Sequence, residues 1–271
     1  KEMKKNNQKL KLNQIFNLSI KEIHKVLFHN AWRLGLVSFG AYMVLQFNTL
    51  ICSSFFGLEV TASYGLTLQL FTLLVAVCGT AYQTLQPEIN QSCLHNNNER
   101  TVKLISFGSF FNWVTYLIGF ITIIFFGPKV MDLLNVEVEL LPLSLILFMG
   151  IYLFLENNHS MFASYITGDN KIPFVKASLF SGFFVVLLSM TSIYLTSLEI
   201  LGLMMSQAFV QLCYNNWKWP YDVIIKYIAI ITFLPLHSNT CIMYYSLLLI
   251  KYTIIGDCQM ELQWCIFKKI M

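Results

Sequence analysis

The stretch that decides the fold reads LSLILFMGIYLFLENNHSMFASYI and runs from Leu143 to Ile166. It is apolar enough to cross a bilayer, yet it carries Glu156 and His159 near its middle. Their spacing of three residues puts both side chains on one face of a helix. A carboxylate at membrane depth is costly, and this position is therefore typical of an ion pathway or a binding cavity. The structural alternative is a Glu–His pair that fastens two helices together.

The composition of the whole chain places it in a membrane. Of its 271 residues, 56% are hydrophobic and only 12% are charged, and the mean hydropathy is +0.60. A soluble globule of this size could not cover so much apolar surface. Runs of about 18 or more apolar residues indicate transmembrane helices, and they occur at 34–56, 62–85, 104–127, 143–166, 174–195 and 200–217. The predicted fold is an all-α, polytopic bundle of six transmembrane helices.

Basic residues predict how this bundle, residues 34–226, is oriented. Lys and Arg collect on the cytoplasmic side of membrane proteins, and only Lys129 falls in the connections on the opposite side. Both ends of the bundle are therefore predicted to be cytoplasmic. The residues on that side are Lys1, Lys4, Lys5, Lys9, Lys11, Lys21, Lys25, Arg33, Arg100, Lys103, Lys171, Lys176, Lys218 and Lys226.

Two segments of different composition flank the bundle. Residues 1–33 are basic, and the apolar face of Ile20, Ile23 and Leu27 predicts an amphipathic linker helix on the cytoplasmic membrane surface. The chain opens on a lysine with no signal peptide, as expected of a fragment of a longer gene. The apolar runs of residues 227–271 are interrupted, and a seventh span there would contradict the charge rule, so we interpret this tail as an out-of-frame or intergenic reading.

Polar residues form stripes along several predicted helices at spacings of three or four. Small and amide side chains in such stripes either let helices pack and hydrogen-bond or line a hydrated cavity. The long amides are the stronger candidates for substrate contact or coupling. With Glu156 and His159, these candidates are Gln46, Gln69, Gln207, Gln211 and Asn215. The serines of the fifth helix fit packing alone.

No metal, catalytic residue or cofactor is expected. The seven cysteines show no C-x-x-C or Cys/His ligand spacing, and most lie in spans or on the cytoplasmic side, where thiols stay reduced. If Glu156 couples transport to an ion, the expected ion is a proton or sodium.

Four strings carry a resemblance to a known family: AWRLGLVSFGAY (31–42), SSFFGLEVTASYGLTLQLF (53–71), LENNHSMFASYITGDNKIPFVKASLFSG (155–182) and QLCYNNWKWP (211–220). They resemble the carboxy-terminal half of bacterial O-antigen and capsule flippases of the multidrug/oligosaccharidyl-lipid/polysaccharide (MOP) exporter superfamily. The resemblance implies one lobe of a two-lobed transporter, which would need an amino-terminal lobe or a second copy. Its implied substrate is an undecaprenyl-diphosphate-linked oligosaccharide, flipped across the inner membrane for polysaccharide biosynthesis.

The flippase interpretation gives the cytoplasmic cations a role, because a diphosphate head group needs them. Arg33, Lys171 and Lys176 are the capture candidates, although snorkelling and topology alone also explain cations there. A drug or cation antiporter of the same superfamily and a non-functional gene fragment are the alternatives. A sugar-polymer enzyme fits least, because the longest outer connection, Pro128 to Pro142, is short for such catalysis.

The charge asymmetry yields a topology test. We expect residues 1–33 and 218–226 in the cytoplasm, so a cysteine introduced at Glu59 in a cysteine-free background reacts with a membrane-impermeant thiol reagent from the periplasmic side. A cysteine at Lys103 serves as the cytoplasmic control. Labelling of the Glu59 position only after the cytoplasmic side is opened would reverse the orientation.

Overall fold

The structure, a computed structural model, describes residues 20–133, 135, 138–167 and 172–233, and the side chains of 20–27, 29–30 and 227–233 are outside this description. The described residues contain no strand, so the predicted all-α fold is confirmed. Predictions for Lys171, for the first 19 residues and for 234–271 fall outside the described residues.

The described residues form eight helices. They are α1 (Ile20–Leu45), α2 (Phe47–Phe55), α3 (Gly57–Leu94), α4 (Asn98–Leu133), α5 (Leu143–Thr167), α6 (Val175–Leu195), α7 (Glu199–Cys213) and α8 (Asn215–Phe233). The predicted linker helix is the beginning of α1, which continues unbroken into the first predicted span.

Among the described residues, four helical stretches are long and apolar enough to cross a membrane, which supports a membrane-embedded protein. They are Ala31–Phe55, Gly57–Leu94, Asn98–Leu133 and Val175–Leu195. The predicted spans 143–166 and 200–217 are not among them. Helix α5 has 25 residues, but Glu156 to His159 make it more polar, and α7 has only 15 residues before it ends.

Three short interruptions shape the bundle. Helix α1 gives way to α2 at Gln46, and α2 turns into α3 at Phe56 and Gly57. Gly57 has a φ of +82°, in the left-handed region that glycine adopts without a steric cost. Helix α7 ends before Tyr214, whose φ of −144° and ψ of −60° are not helical, and α8 starts directly after it.

Helix pairs close the bundle around its core. Helix α3 packs along α4, α1 along α6, α6 along α7, and α5 along α8. The main core cluster joins α2, α3, α5 and α7 through buried side chains that include Phe71, Met149 and Leu203. Small residues permit the closest approach, since a Cβ on Gly40 would lie 2.6 Å from the backbone carbonyl carbon and oxygen of Ser178.

Helices α3 and α4 are longer than a bilayer requires. They contain 38 and 36 residues, or about 55 Å each at 1.5 Å per residue, whereas the hydrocarbon core is about 30 Å thick. Their shared end carries an exposed ion pair, with Arg100 Nη2 2.6 Å from Glu88 Oε1. The α3–α4 hairpin therefore extends beyond the hydrocarbon unless it is strongly tilted.

The contact of Gly40 with α6 can be tested by substitution. Gly40→Ala places a methyl group against the Ser178 backbone and should lower the free energy of unfolding by about 1–3 kcal/mol through overpacking. Gly35→Ala is the matched control on the same helix, because a Cβ there meets nothing within 4 Å. Thermal unfolding in detergent, followed by circular dichroism, compares the two. Equal melting temperatures would contradict the close α1–α6 contact.

Candidate functional site

Glu156 lies on the face of α5 that packs against α7 and α8. Its Oε1 accepts a hydrogen bond from Gln211 Nε2 at 3.2 Å, and His159 Nε2 lies 3.8 Å from the same oxygen. The side chains of Glu156 and His159 are only 13% and 12% exposed. The predicted carboxylate–imidazole pair is thus assembled, and a third candidate, Gln211, completes it.

Asn215 holds the other side of this cluster together. Its Nδ2 donates to Gln211 Oε1 at 2.7 Å and to Ser181 Oγ at 2.8 Å. Its Oδ1 accepts from Trp219 Nε1 at 3.1 Å. Through these bonds α6, α7 and α8 together fix the amide of Gln211 that points at Glu156.

The hydrogen bond of His159 determines what the pair can do chemically. His159 Nδ1 is 2.9 Å from Asn216 Oδ1, an oxygen that can only accept, so Nδ1 carries the proton. In the neutral ring, Nε2 then presents its lone pair toward Glu156. The carboxylate and the lone pair are 3.8 Å apart, too far for a hydrogen bond, and they repel each other. A proton bound by either group removes the repulsion. The pair is suited to hold a single exchangeable proton.

The break at Tyr214 brings amides to this cluster. It lets Asn215 and Asn216 start α8 while Gln211 occupies the last turn of α7. The carbonyl end of α7, with partial negative charge, and the N–H end of α8, with partial positive charge, meet at this point. The interruption thus places the partial charges of two helix ends beside the Glu156 cluster.

A second buried cluster centres on Asn48, in α2. Asn48 is fully buried; its Nδ2 lies 3.3 Å from both Leu203 O and Gln207 Oε1, and its Oδ1 accepts from Ser189 Oγ at 2.8 Å. Gln207, a predicted candidate, is buried here with its Nε2 unpaired. The cluster ties α2 to α6 and α7.

The polar stripes divide into an inner and an outer set. Gln207, Gln211 and Asn215 are buried within the bundle, so a lone lobe does not expose these three amides to lipid. Gln46 and Gln69 are exposed. We call the exposed set the outer polar face: Ser38, Tyr42, Gln46 and Ser53 on α1–α2, and Gln69, Thr72, Thr80 and Gln83 on α3. These side chains do not contribute to the packing of the described bundle.

The basic candidates are partly brought together. Arg33 Nη2 donates to Ile172 O at 3.4 Å, and Ser178 Oγ donates to Val37 O at 2.9 Å. These contacts place Arg33 and the exposed Lys176 at the same end of the α1–α6 pair.

Sequence reasoning missed a set of amides between α4 and α5. Asn157 Nδ2 donates to Asn112 Oδ1 at 3.1 Å, and Trp113 Nε1 donates to Asn158 Oδ1 at 2.9 Å. The signal was in the sequence, since both pairs join the Asn–Asn of LENNHS to an isolated Asn–Trp in an apolar run. They fix the face of α5 opposite to the one that presents Glu156.

No family model, curated protein or solved structure matches this chain. The resemblance to polysaccharide flippases therefore rests on the four quoted strings, and the function has to be argued from the site.

The Asn48 cluster predicts a stability effect. Asn48→Ala leaves Gln207 and Ser189 without their partner in the core, and should lower the free energy of unfolding by about 1–3 kcal/mol. The control is Gln46→Ala, an exposed amide two residues away, which should change it by less than about 0.5 kcal/mol. Chemical unfolding of both variants in mixed micelles provides the comparison. An equal effect at the two positions would refute a structural role for Asn48.

Proposed function

We propose that residues 34–226 form one lobe of a MOP-type flippase that moves undecaprenyl-diphosphate-linked oligosaccharides across the bacterial inner membrane. The observation that carries this proposal is the outer polar face. In a protein embedded by apolar helices, exposed hydroxyls and amides such as Tyr42, Gln46 and Gln69 are unfavourable against lipid. They become favourable when they line a hydrated cavity.

A lipid-linked glycan needs such a cavity. Its many hydroxyls cannot cross hydrocarbon unaided, whereas its polyprenyl tail can remain in the lipid. A wall of hydroxyl and amide groups replaces the water that the sugars lose. Two lobes that rock against each other around a central site would open that site to one side of the membrane at a time. The outer polar face would be one wall, and an amino-terminal lobe or a second copy would supply the other.

The cation pair at the end of α1 and α6 fits the diphosphate. Arg33 offers a planar guanidinium and Lys176 an exposed ammonium, both suited to phosphate oxygens. In the proposed topology, with six spans and both ends in the cytoplasm, this end lies on the cytoplasmic side, where the substrate is made. Lys171 belongs to the same basic segment of the sequence.

The Glu156 cluster supplies the coupling in this proposal. Binding and release of one proton by Glu156 and His159 would change the charge next to the interruption at Tyr214. The same cluster favours a second candidate function, a proton-coupled or cation-coupled drug antiporter of the same superfamily. The two differ in cargo, because an antiporter has no need of phosphate-binding cations.

A chimeric transporter tests the flippase proposal. Residues 20–226 replace the carboxy-terminal lobe of an intact O-unit flippase in a strain that lacks its own, and surface polymer is measured by gel and lectin staining. We expect polymer from the chimera and none from the 271-residue chain expressed alone. A chimera that inserts normally and yields drug efflux without polymer would favour the antiporter. Full polymer from the single chain would instead indicate a functional homodimer.

The chimera also tests the coupling residue. Glu156→Gln keeps the oxygen that accepts from Gln211 but removes the charge, so we expect normal membrane levels and loss of surface polymer. Glu59→Gln, an exposed acid at the start of α3, is the control and should retain full polymer. Wild-type polymer from the Glu156 variant would leave it with a structural role only.

A further inference from the structure

One chain of hydrogen bonds runs from an indole of α8 to the carboxyl group of α5. Trp219 Nε1 donates to Asn215 Oδ1 at 3.1 Å, and Asn215 Nδ2 donates to Gln211 Oε1 at 2.7 Å. Gln211 Nε2 then donates to Glu156 Oε1 at 3.2 Å. Trp219, Asn215 and Gln211 are at most 5% exposed, so the chain lies inside the bundle.

The indole fixes the direction of this chain. An amide has an oxygen on one side and N–H groups on the other, whereas an indole has a donor and no acceptor. The oxygen of Asn215 must therefore face Trp219, and its N–H groups are left for Gln211 and for Ser181 Oγ, which lies 2.8 Å away. The oxygen of Gln211 is engaged in turn, and only its N–H side remains for Glu156.

This direction decides which form of Glu156 the site favours. An N–H that points at a carboxyl oxygen stabilises the carboxylate. A reversed chain would offer an acceptor to neutral glutamic acid, but it would also set the N–H side of Asn215 against the indole N–H of Trp219. Buried donors without an acceptor are costly. The chain therefore resists reversal and offsets part of the cost of burying a charge at Glu156.

We propose that Trp219 is a positioning residue for Glu156, because its donor-only indole keeps the N–H of Gln211 directed at the carboxylate. This role rests on the proposed coupling function of Glu156. A coupling carboxyl group must release its proton as well as bind it, and a fixed donor favours release in a site that is only 13% exposed. A neutral Glu156 then carries its proton on Oε2, since Oε1 remains the acceptor of Gln211.

The groups of α7 and α8 that face this pair are amides. Gln211 contacts Glu156, and Asn216 contacts His159. The ion pair of α8 closes on itself, since Lys218 Nζ lies 2.6 Å from Asp222 Oδ1.

Helices α3 and α4, which also pack against α5, contribute tyrosines. Tyr64 and Tyr116 are neighbours of Tyr152, which stands one turn before Glu156 and, with His159, faces it from the same helix. The charged residues of α3 and α4 lie toward the helix ends: Glu59, Glu88, Glu99, Arg100, Lys103, Lys129 and Asp132. Among the described side chains, Gln211 is thus the one that hydrogen-bonds to Glu156.

Infrared titration tests the positioning role. The full 271-residue chain is placed in lipid nanodiscs, and the carboxyl band of Glu156, identified by its loss in Glu156→Gln, is followed against pH. Trp219→Phe keeps a ring against Phe174 and Tyr214 but removes the N–H. Because the reversed chain then becomes accessible to neutral Glu156, the protonation profile should shift by about one unit toward higher pH.

Trp217→Phe is the matched control. Trp217 also lies on α8 and also contacts Tyr214, but its Nε1 donates to Cys213 O, a backbone group outside the chain. This variant should keep the wild-type profile. Equal profiles in the two phenylalanine variants, with or without a shift, would overturn the positioning role while the coupling by Glu156 stands.

A double variant determines whether Trp219 acts through Asn215. Asn215→Leu breaks the chain in its middle, so it should shift the profile in the same direction, and it tests the chain even if Trp219→Phe does not fold. Adding Trp219→Phe to Asn215→Leu should shift the profile no further, whereas a sum of the two single shifts would overturn the chain as the route. A Glu156 band that never responds to pH would remove the coupling and the positioning role together, and polymer export by the chimera would still test the flippase lobe.

Discussion

The structure depends on one constraint, which is that polar groups inside a bilayer must find their partners within the protein. Backbone groups are satisfied by the helices themselves, so the remaining requirement falls on the side chains. Asn48 meets it across three helices, and Asn215 joins α6, α7 and α8 in the same way. Each cluster fixes a helix face, and the faces that remain, among them the one with Gln46 and Gln69, are free for other contacts.

The division of polar residues between the two faces gives the site its character. Inside, amides hold a carboxylate and an imidazole 3.8 Å apart, close enough to interact electrostatically. Outside, the hydroxyl of Tyr42 and the amides of Gln46 and Gln69 present hydrogen-bonding groups that lipid cannot satisfy. The exposed hydroxyls of Ser53, Thr72 and Thr80 donate to carbonyls of their own helices. The proposed transport would use both properties, a chemical group that changes charge and a wall that replaces water. The close contact of Gly40 with Ser178 holds α1 and α6 at a short, fixed distance from each other.

The sequence predicted the fold class and the Glu156–His159 pair because both follow from local patterns. Apolar length predicts membrane helices, and a spacing of three predicts a shared face. It could not separate the buried Gln207 from the exposed Gln69, since both stand in similar polar stripes and only the packing of neighbouring helices decides which way a stripe turns. The α4–α5 amide pairs were missed because Asn112 is an isolated amide in a largely apolar run, and its partner is 45 positions away. The sequence has no glycine or proline at Tyr214 that would have predicted the interruption there.

The partners of Asn48 also set an order for biogenesis. Ser189 and Gln207 lie 141 and 159 residues further along the chain. At about 5–20 residues per second of translation, the amide of Asn48 enters the membrane roughly 7 to 30 seconds before its first partner is synthesised. During that interval, the Asn48 amide needs hydrogen bonds from water, lipid head groups or an insertion factor. A nascent chain that stops before α6 would therefore present a polar degradation signal within the bilayer.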